Sequence, residues 1–407
     1  MPDVLMFHHP HALMIYDCRL QEAFALIDSN RSRLPDTGVS IFSQMTALAN
    51  LHQAINLSQG FPDFPVDPWL IDRVNHHMNA GMNQYAPMQG VMALRERIAE
   101  KVRSAYQAAY DPATEITVTS GATEAVFCAI TASLQPDDEA IVIEPAYDAY
   151  VPAIRLSHAI PRFSAMRFPD YRIDWDQVQN LVTDRTRLII LNSPHNPTGS
   201  ILNADDIESL RQIVCNTPIL IVSDEVYEHI IYDGQIHHSL SRYPDLAERS
   251  FVISSFGKTY HATGWKIGYC LAPARLSQEF QKIHQFVIFS SNTPVQYALA
   301  DMLERPETWM GLSEFYQKKR DTFHGLIQNS RFTILPCSGT YFQMLDYSSI
   351  SSEPDQVFAR KMTIDHGVAA IPPSAFYSNA EDHRVLRFCF AKNDHTLMDA
   401  ASRLCAI

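Results

Sequence analysis

Leu188-Ile189-Ile190-Leu191-Asn192-Ser193-Pro194-His195-Asn196-Pro197-Thr198-Gly199, Ile219-Leu220-Ile221-Val222-Ser223-Asp224-Glu225-Val226-Tyr227 and Phe251-Val252-Ile253-Ser254-Ser255-Phe256-Gly257-Lys258 share one pattern, an apolar run that ends in a polar cluster. A short run without polar alternation reads as a strand buried on both faces, as in a parallel sheet covered by helices. Related runs occur at Ile116-Thr117-Val118-Thr119, Ala140-Ile141-Val142-Ile143 and Ile267-Gly268-Tyr269-Cys270-Leu271. Between them lie helix-like segments such as 122–134, where Val126, Ala129, Ile130 and Ser133 fall at helical spacing. Strand and helix in alternation predict an α/β fold, a large domain with a mostly parallel sheet sandwiched by helices.

The C-terminal part has a different texture. A helix is expected over 313–329 and strands over 332–335, 340–344, 369–371 and 385–390, which together predict a smaller α+β domain. The expected division is a flexible N-terminal extension at 1–32, a segment 33–64 joining the small domain, a large domain at 65–300 and the small domain at 301–407. Composition narrows the function. With 407 residues, 32 Lys+Arg against 45 Asp+Glu and a net charge of −13, the chain is a poor binder of nucleic acid or anionic membranes. No apolar run reaches the ~18 residues of a membrane span, and no Lys or Arg precedes Arg19, which argues against a signal peptide. Seven scattered cysteines (18, 128, 215, 270, 337, 389 and 405) without a C-x-x-C pair read as reduced thiols, with no metal site. His8, His9 and His11 are assigned to the extension. A soluble, cytoplasmic protein is expected.

In an open α/β sheet, ligands bind beyond the carboxyl ends of the strands, and the polar clusters sit at those ends. Gly121-Ala122-Thr123 opens a helix directly after a strand, a placement that favours a phosphate; alone, it is also compatible with an ordinary turn. Asp224 and Tyr227 can place a carboxylate and a phenol side by side, or a helix cap beside a packed ring. Lys258, in apolar surroundings, calls for a partner or a reaction, the alternative being a surface loop. Pyridoxal 5′-phosphate satisfies these features together, with its phosphate, ring nitrogen, phenolic oxygen, aromatic face and aldehyde.

The three opening segments, together with the continuation Thr259-Tyr260-His261-Ala262-Thr263-Gly264-Trp265-Lys266-Ile267-Gly268, resemble class I/II aminotransferases of fold type I. Asn56-Leu57-Ser58-Gln59-Gly60-Phe61-Pro62-Asp63-Phe64-Pro65 and Asn83-Gln84-Tyr85-Ala86-Pro87-Met88-Gln89-Gly90 are most similar to the methionine aminotransferase and kynurenine aminotransferase (cysteine-S-conjugate β-lyase) branch. The resemblance implies that Lys258 binds the cofactor aldehyde and later carries the substrate proton. It implies that Asp224 pairs with the ring nitrogen, Tyr227 and Asn196 with the ring oxygen, and that Tyr147 stacks on the ring. Ser255, Lys266 and the N–H groups of Gly121, Ala122 and Thr123 would hold the phosphate, with Tyr85 reaching it from the other subunit of a homodimer. Arg387 would clamp the substrate α-carboxylate, assisted by Asn196 and Gly60. Phe42, and Phe289 across the dimer interface, would line the side-chain pocket.

The segment 285–294 contains no arginine for a second carboxylate, and Ser290 stands where related kynurenine enzymes often carry histidine. The implied activity is ping-pong transfer of the amino group of a large neutral amino acid, methionine or an aromatic one, to a 2-oxo acid. A cysteine-S-conjugate β-lyase or kynurenine aminotransferase on the same scaffold is the alternative. A cofactor-binding transcription regulator is a remote one, because only about 32 residues precede the resemblance, too few for a DNA-binding module.

Overall fold

The computed structural model describes residues 32–407. The three histidines and Cys18 of the expected extension lie outside the described residues. A two-residue strand β1 (Ile55–Asn56) precedes seven strands that form one sheet: β2 (Ile116–Thr119), β3 (Glu139–Glu144), β4 (Ile160–Ala165), β5 (Thr186–Asn192), β6 (Leu220–Asp224), β7 (Ser250–Ser255) and β8 (Gly268–Leu271). Their spatial order is β2-β8-β7-β6-β5-β3-β4. Neighbours from β7 through β4 run parallel, whereas β8 is antiparallel to both of its neighbours.

The unbroken apolar runs are explained by two separate cores. Ile141, Ile143, Ile189, Leu191 and Ile221 face one, with Leu94, Ile98, Ile207 and Leu210 of helices Met92–Tyr106 and Ala204–Val214. Ala140, Val142, Leu188, Ile190 and Val222 face the other, with Ala125, Val126, Leu276 and Phe280 of helices Gly121–Ser133 and Ala274–Val287. Each fully buried Ile, Leu or Val contributes about 1.5–3 kcal/mol, so a polar residue on either face would be costly. The sequence pattern misses β4, whose Ile160-Pro161-Arg162-Phe163-Ser164-Ala165 mixes proline and charge. It lies at the sheet edge, where a missing ladder donor is tolerated.

In the C-terminal part, β9 (Thr333–Ile334), β10 (Phe342–Asp346) and β12 (Val385–Cys389) form an antiparallel sheet in the order β12-β10-β9, while β11 (Val368–Ala369) pairs in parallel with β1. Helix Leu312–Ile327 occupies the expected 313–329 region. The strand expected from 340 begins two residues later, because Thr340 adopts a left-handed φ of +64° and its hydroxyl accepts from the Phe342 N–H at 3.1 Å. Of the strand expected at 369–371, only Ala369 lies in β11, and Ile371 instead forms a bridge to Arg387. The Cys389 N–H donates to the Leu57 carbonyl at 2.8 Å, which lays residues 57–60 across β12. Among the described residues, all six cysteines are free and no helix is long and apolar enough to cross a membrane.

Candidate active site

Parallel register brings the carboxyl ends of β5, β6 and β7 to one level, with Asn192 opposite Asp224 and Asp224 opposite Ile253, two residues before Ser255. Asn192 donates to the Asp224 carbonyl at 2.9 Å and accepts from the Asn196 N–H at 2.8 Å, so the loop after β5 folds back over its own strand. A cavity of about 310 Å³ opens there. Phe42, Gly60, Ala122, Thr123, Tyr147, Asn196, Asp224, Tyr227, Ser255, Lys258, Lys266 and Arg387 all line it. Gln59, Val126, Asn192, Val226, Thr263 and Phe342 also line it; Gln59, Asn192, Val226 and Thr263 fall within the sequence motifs, but nothing in the sequence assigns any of the six to the site.

Tyr85 and Phe289 are not brought to this cavity. They are 84% and 51% exposed and contact each other edge-on, with ring centroids 5.4 Å apart.

Asp224 is buried, accepts from the Tyr150 hydroxyl at 2.7 Å and from the Val226 N–H at 3.3 Å, and has its carboxyl pushed up to about 6, chiefly by burial. No sequence motif marks Tyr150. It lies three residues after Tyr147, but its partner is 74 positions away in sequence. A pKa above the ordinary 3.8 means that the folded chain binds this proton more tightly than the unfolded chain, so stability is lost as pH rises from about 4 to about 6. Asp224→Asn is therefore expected to raise the unfolding free energy of the cofactor-free protein by up to about 3 kcal/mol at pH 7, with little gain near pH 4. Urea midpoints at the two pH values check this; a loss of stability at pH 7 would contradict it.

Lys258 stands on the short helix Phe256–Thr259 that follows β7. Its Nζ donates to the Gly60 carbonyl and to the Tyr341 hydroxyl, both at 2.9 Å. Burial, reinforced by repulsion from Arg387 and Lys266, brings the amine down to about 8. Burial also pushes the Tyr227 phenol up, so it stays protonated as a hydrogen-bond donor.

Arg387 is fully buried in β12. Its Nη1 donates to Asn196 Oδ1 at 2.8 Å and its Nη2 to the Ser58 carbonyl at 2.6 Å, while Nε has no partner. The guanidinium lies 3.9 Å from the Phe342 ring centroid and 5.2 Å from that of Phe42. Burial lowers it to about 10. A buried cation without a carboxylate partner suits an anionic ligand.

Helix Gly121–Ser133, whose Ala122 and Thr123 line the same cavity, starts directly after β2 with no side chain capping its first turn. Gly121 has a φ of +75°, and a Cβ there would fall 3.1 Å from Lys266 Nζ; a Cβ on Gly268 would meet the Ser254 carbonyl at 2.7 Å. Ala122 and Thr123 of this first turn line the cavity together with Lys266 and Ser255, so uncapped backbone N–H groups, an amine and a hydroxyl offer a fitting cradle for a phosphate.

Behind it, Glu124 Oε2 accepts from the Ser120 N–H at 3.1 Å, and Oε1 accepts from the Cys128 thiol at 2.9 Å. His284 Nδ1 lies 2.8 Å from Glu124 Oε1 and its Nε2 lies 3.0 Å from the Met88 carbonyl. Because His284→Ala strips buried acceptors of their partner, it is expected to cost about 2–4 kcal/mol, read as a lower denaturant midpoint; an unchanged midpoint would remove His284 from this scaffold.

The family described as aminotransferase class I and II matches residues 52–404. A methionine aminotransferase of Escherichia coli is 50% identical over 375 residues, covering 92% of this chain and 97% of its own. A crystal structure of an Escherichia coli protein, described as identifying a methionine aminotransferase function, superposes with a TM-score of 0.91 over 93% of this chain and 99% of that one, at 50% identity. A kynurenine–oxoglutarate transaminase of Dictyostelium discoideum is 34% identical over 412 residues, covering 90% of this chain and 94% of its own. Lysine, aspartate and arginine in one cavity, on a scaffold shared along nearly the full length of such relatives, place the chain in the class I and II aminotransferase family.

Proposed function

We propose that the protein is a pyridoxal-phosphate-dependent aminotransferase that takes the amino group of a large neutral amino acid, methionine or an aromatic one, and passes it to a 2-oxo acid by a ping-pong mechanism in the cytoplasm. The carrying observation is that Lys258, Asp224 and Arg387 line one cavity together with Ala122, Thr123, Ser255 and Lys266 of an anion cradle. When bound, pyridoxal phosphate supplies an aldehyde and an electron-withdrawing ring that stabilises negative charge at the substrate Cα.

Ser255, Lys266 and the first turn of helix Gly121–Ser133 hold the phosphate. Asp224 would face the ring nitrogen, Tyr227 and Asn196 would donate to the ring oxygen, and Tyr147 would cover the ring. Arg387 orients the substrate carboxylate with Asn196 and the Gly60 N–H. Lys258 is the amine that would hold the cofactor aldehyde, and as a free amine it would accept and return the substrate proton at Cα. Phe42 and Phe342 flank Arg387 with apolar surface, in keeping with a large neutral side chain and with the named activity of the half-identical relative.

The protein acts as a homodimer with shared active sites. Exposed Tyr85, Phe286 and Phe289 supply apolar surface for the contact, and Tyr85 and Phe289 then complete the partner's site. Sedimentation should give a dimer; a fully active monomer would overturn this.

The deciding experiment is an absorbance spectrum of the purified protein with pyridoxal phosphate, followed by a panel of amino acids. The band of the lysine-bound cofactor should appear and shift with methionine or phenylalanine, with the matching 2-oxo acid as product. Release of pyruvate and thiol from S-conjugates in place of transamination would favour the β-lyase, and a protein that stays colourless would refute the reading.

A further inference from the structure

Tyr341 belongs to none of the sequence motifs, yet it is fully buried against the cavity lysine. Its hydroxyl donates to the Gly60 carbonyl at 2.6 Å and accepts from Lys258 Nζ at 2.9 Å. The same Nζ donates to the Gly60 carbonyl at 2.9 Å, closing a triangle of three polar atoms. The Tyr341 ring meets Tyr227 edge-on, 5.1 Å between centroids.

The fold holds this phenol firmly. The preceding Thr340 donates its N–H to the Ile230 carbonyl at 2.9 Å and accepts at its own carbonyl from the Tyr232 hydroxyl, and the following Phe342 begins β10.

The donor assignments follow from chemistry. A carbonyl can only accept, so the Tyr341 proton goes to Gly60, and burial pushes the phenol well above its ordinary value, so that proton is retained. The phenol oxygen can then only accept from the amine. An uncharged amine has two N–H bonds and one lone pair in tetrahedral arrangement. With one N–H on Gly60 and the other on Tyr341, the lone pair is turned away from both.

We propose that Tyr341 is a positioning residue that, with the Gly60 carbonyl, takes both N–H bonds of the Lys258 amine and aims its lone pair into the cavity. This rests on the reading of Lys258 as the group that moves the substrate proton. In that step the lone pair takes the proton from Cα, the C–H electron pair stays with the substrate, and two of the three N–H bonds of the resulting ammonium remain held. The cradle also ties Lys258 to the segment whose Ser58 carbonyl holds Arg387, so the carboxylate clamp and the proton carrier share one strip of backbone.

Tyr341→Phe tests this, keeping the ring and deleting the hydroxyl. The kcat is expected to fall roughly ten- to a hundredfold, with KM for the amino donor changing less than about twofold. The kinetic isotope effect from a Cα-deuterated donor should rise. In the full chain freed of cofactor, the pH midpoint of Lys258 labelling by an amine-reactive reagent, followed by peptide mass spectrometry, should drop by roughly half to one pH unit, because the charged amine loses an acceptor. Labelling of exposed Lys282 should not move.

A purely structural tyrosine would reduce the active fraction and shift neither the isotope effect nor the midpoint. If Tyr341→Phe fails to fold, difluorotyrosine at 341, a poorer acceptor of the same shape, is read in the same way. The proposal fails if either the midpoint or the isotope effect keeps its wild-type value. Failure of the functional reading shows separately, as absence of the cofactor band in the wild-type protein.

Discussion

Lys258→Ala is expected to lower kcat by roughly 10⁴-fold while leaving a folded protein, because one side chain serves both as covalent anchor and as proton carrier. The fold should survive, since the Tyr341 hydroxyl continues to donate to the Gly60 carbonyl when the amine is gone. Removing an amine that burial holds down to about 8 also relieves a desolvation cost. Turnover with methionine, measured beside the thermal midpoint, checks both halves. Activity within tenfold of wild type would move the catalytic role away from Lys258.

Arg387→Lys should lower kcat/KM by roughly 10²- to 10³-fold, about 3–4 kcal/mol of transition-state binding at 1.36 kcal/mol per decade. An ammonium cannot reproduce the planar fork that now reaches Asn196 and Ser58 on one side and stacks on Phe342 on the other. Arg387→Ala adds lost packing in a fully buried position, so lysine is the cleaner probe of carboxylate binding. The loss should fall mainly on KM and be similar for methionine, phenylalanine and tyrosine, because all present the same α-carboxylate. A loss confined to one side chain would instead assign Arg387 to the side-chain pocket.

Much of this site is legible along the chain, for a physical reason. A strand buried on both faces must be apolar throughout, so Leu188–Leu191 and Ile219–Val222 stand out, and Asn192 and the pair Ser223-Asp224 are conspicuous as the first polar side chains beyond them. Where the pattern is diluted, the reading weakens. β4 escapes it because an edge strand accepts Pro161 and Arg162, and the start of β10 shifts because Thr340 takes a left-handed turn that no composition rule demands.

Tyr150 and Tyr341 escape for a different reason. Tyrosine in apolar surroundings is ordinary core material until its hydroxyl finds a partner, and these partners lie 74 residues away at Asp224, and 83 and 281 residues away at Lys258 and Gly60.

Residue types and their local order are enough to specify the inner strands of the sheet, the polar segments after them that carry Asp224 and Lys258, and the motifs that mark the family. Burial and distant contacts add what local order cannot contain. Asp224 near 6, Lys258 near 8 and the unpartnered Arg387 Nε arise only when the strip 57–60, β10 and β12 close over the sheet and exclude water. A side chain's charge is written in its chemistry, whereas the free energy of holding that charge depends on the dielectric and the partners that packing assembles around it.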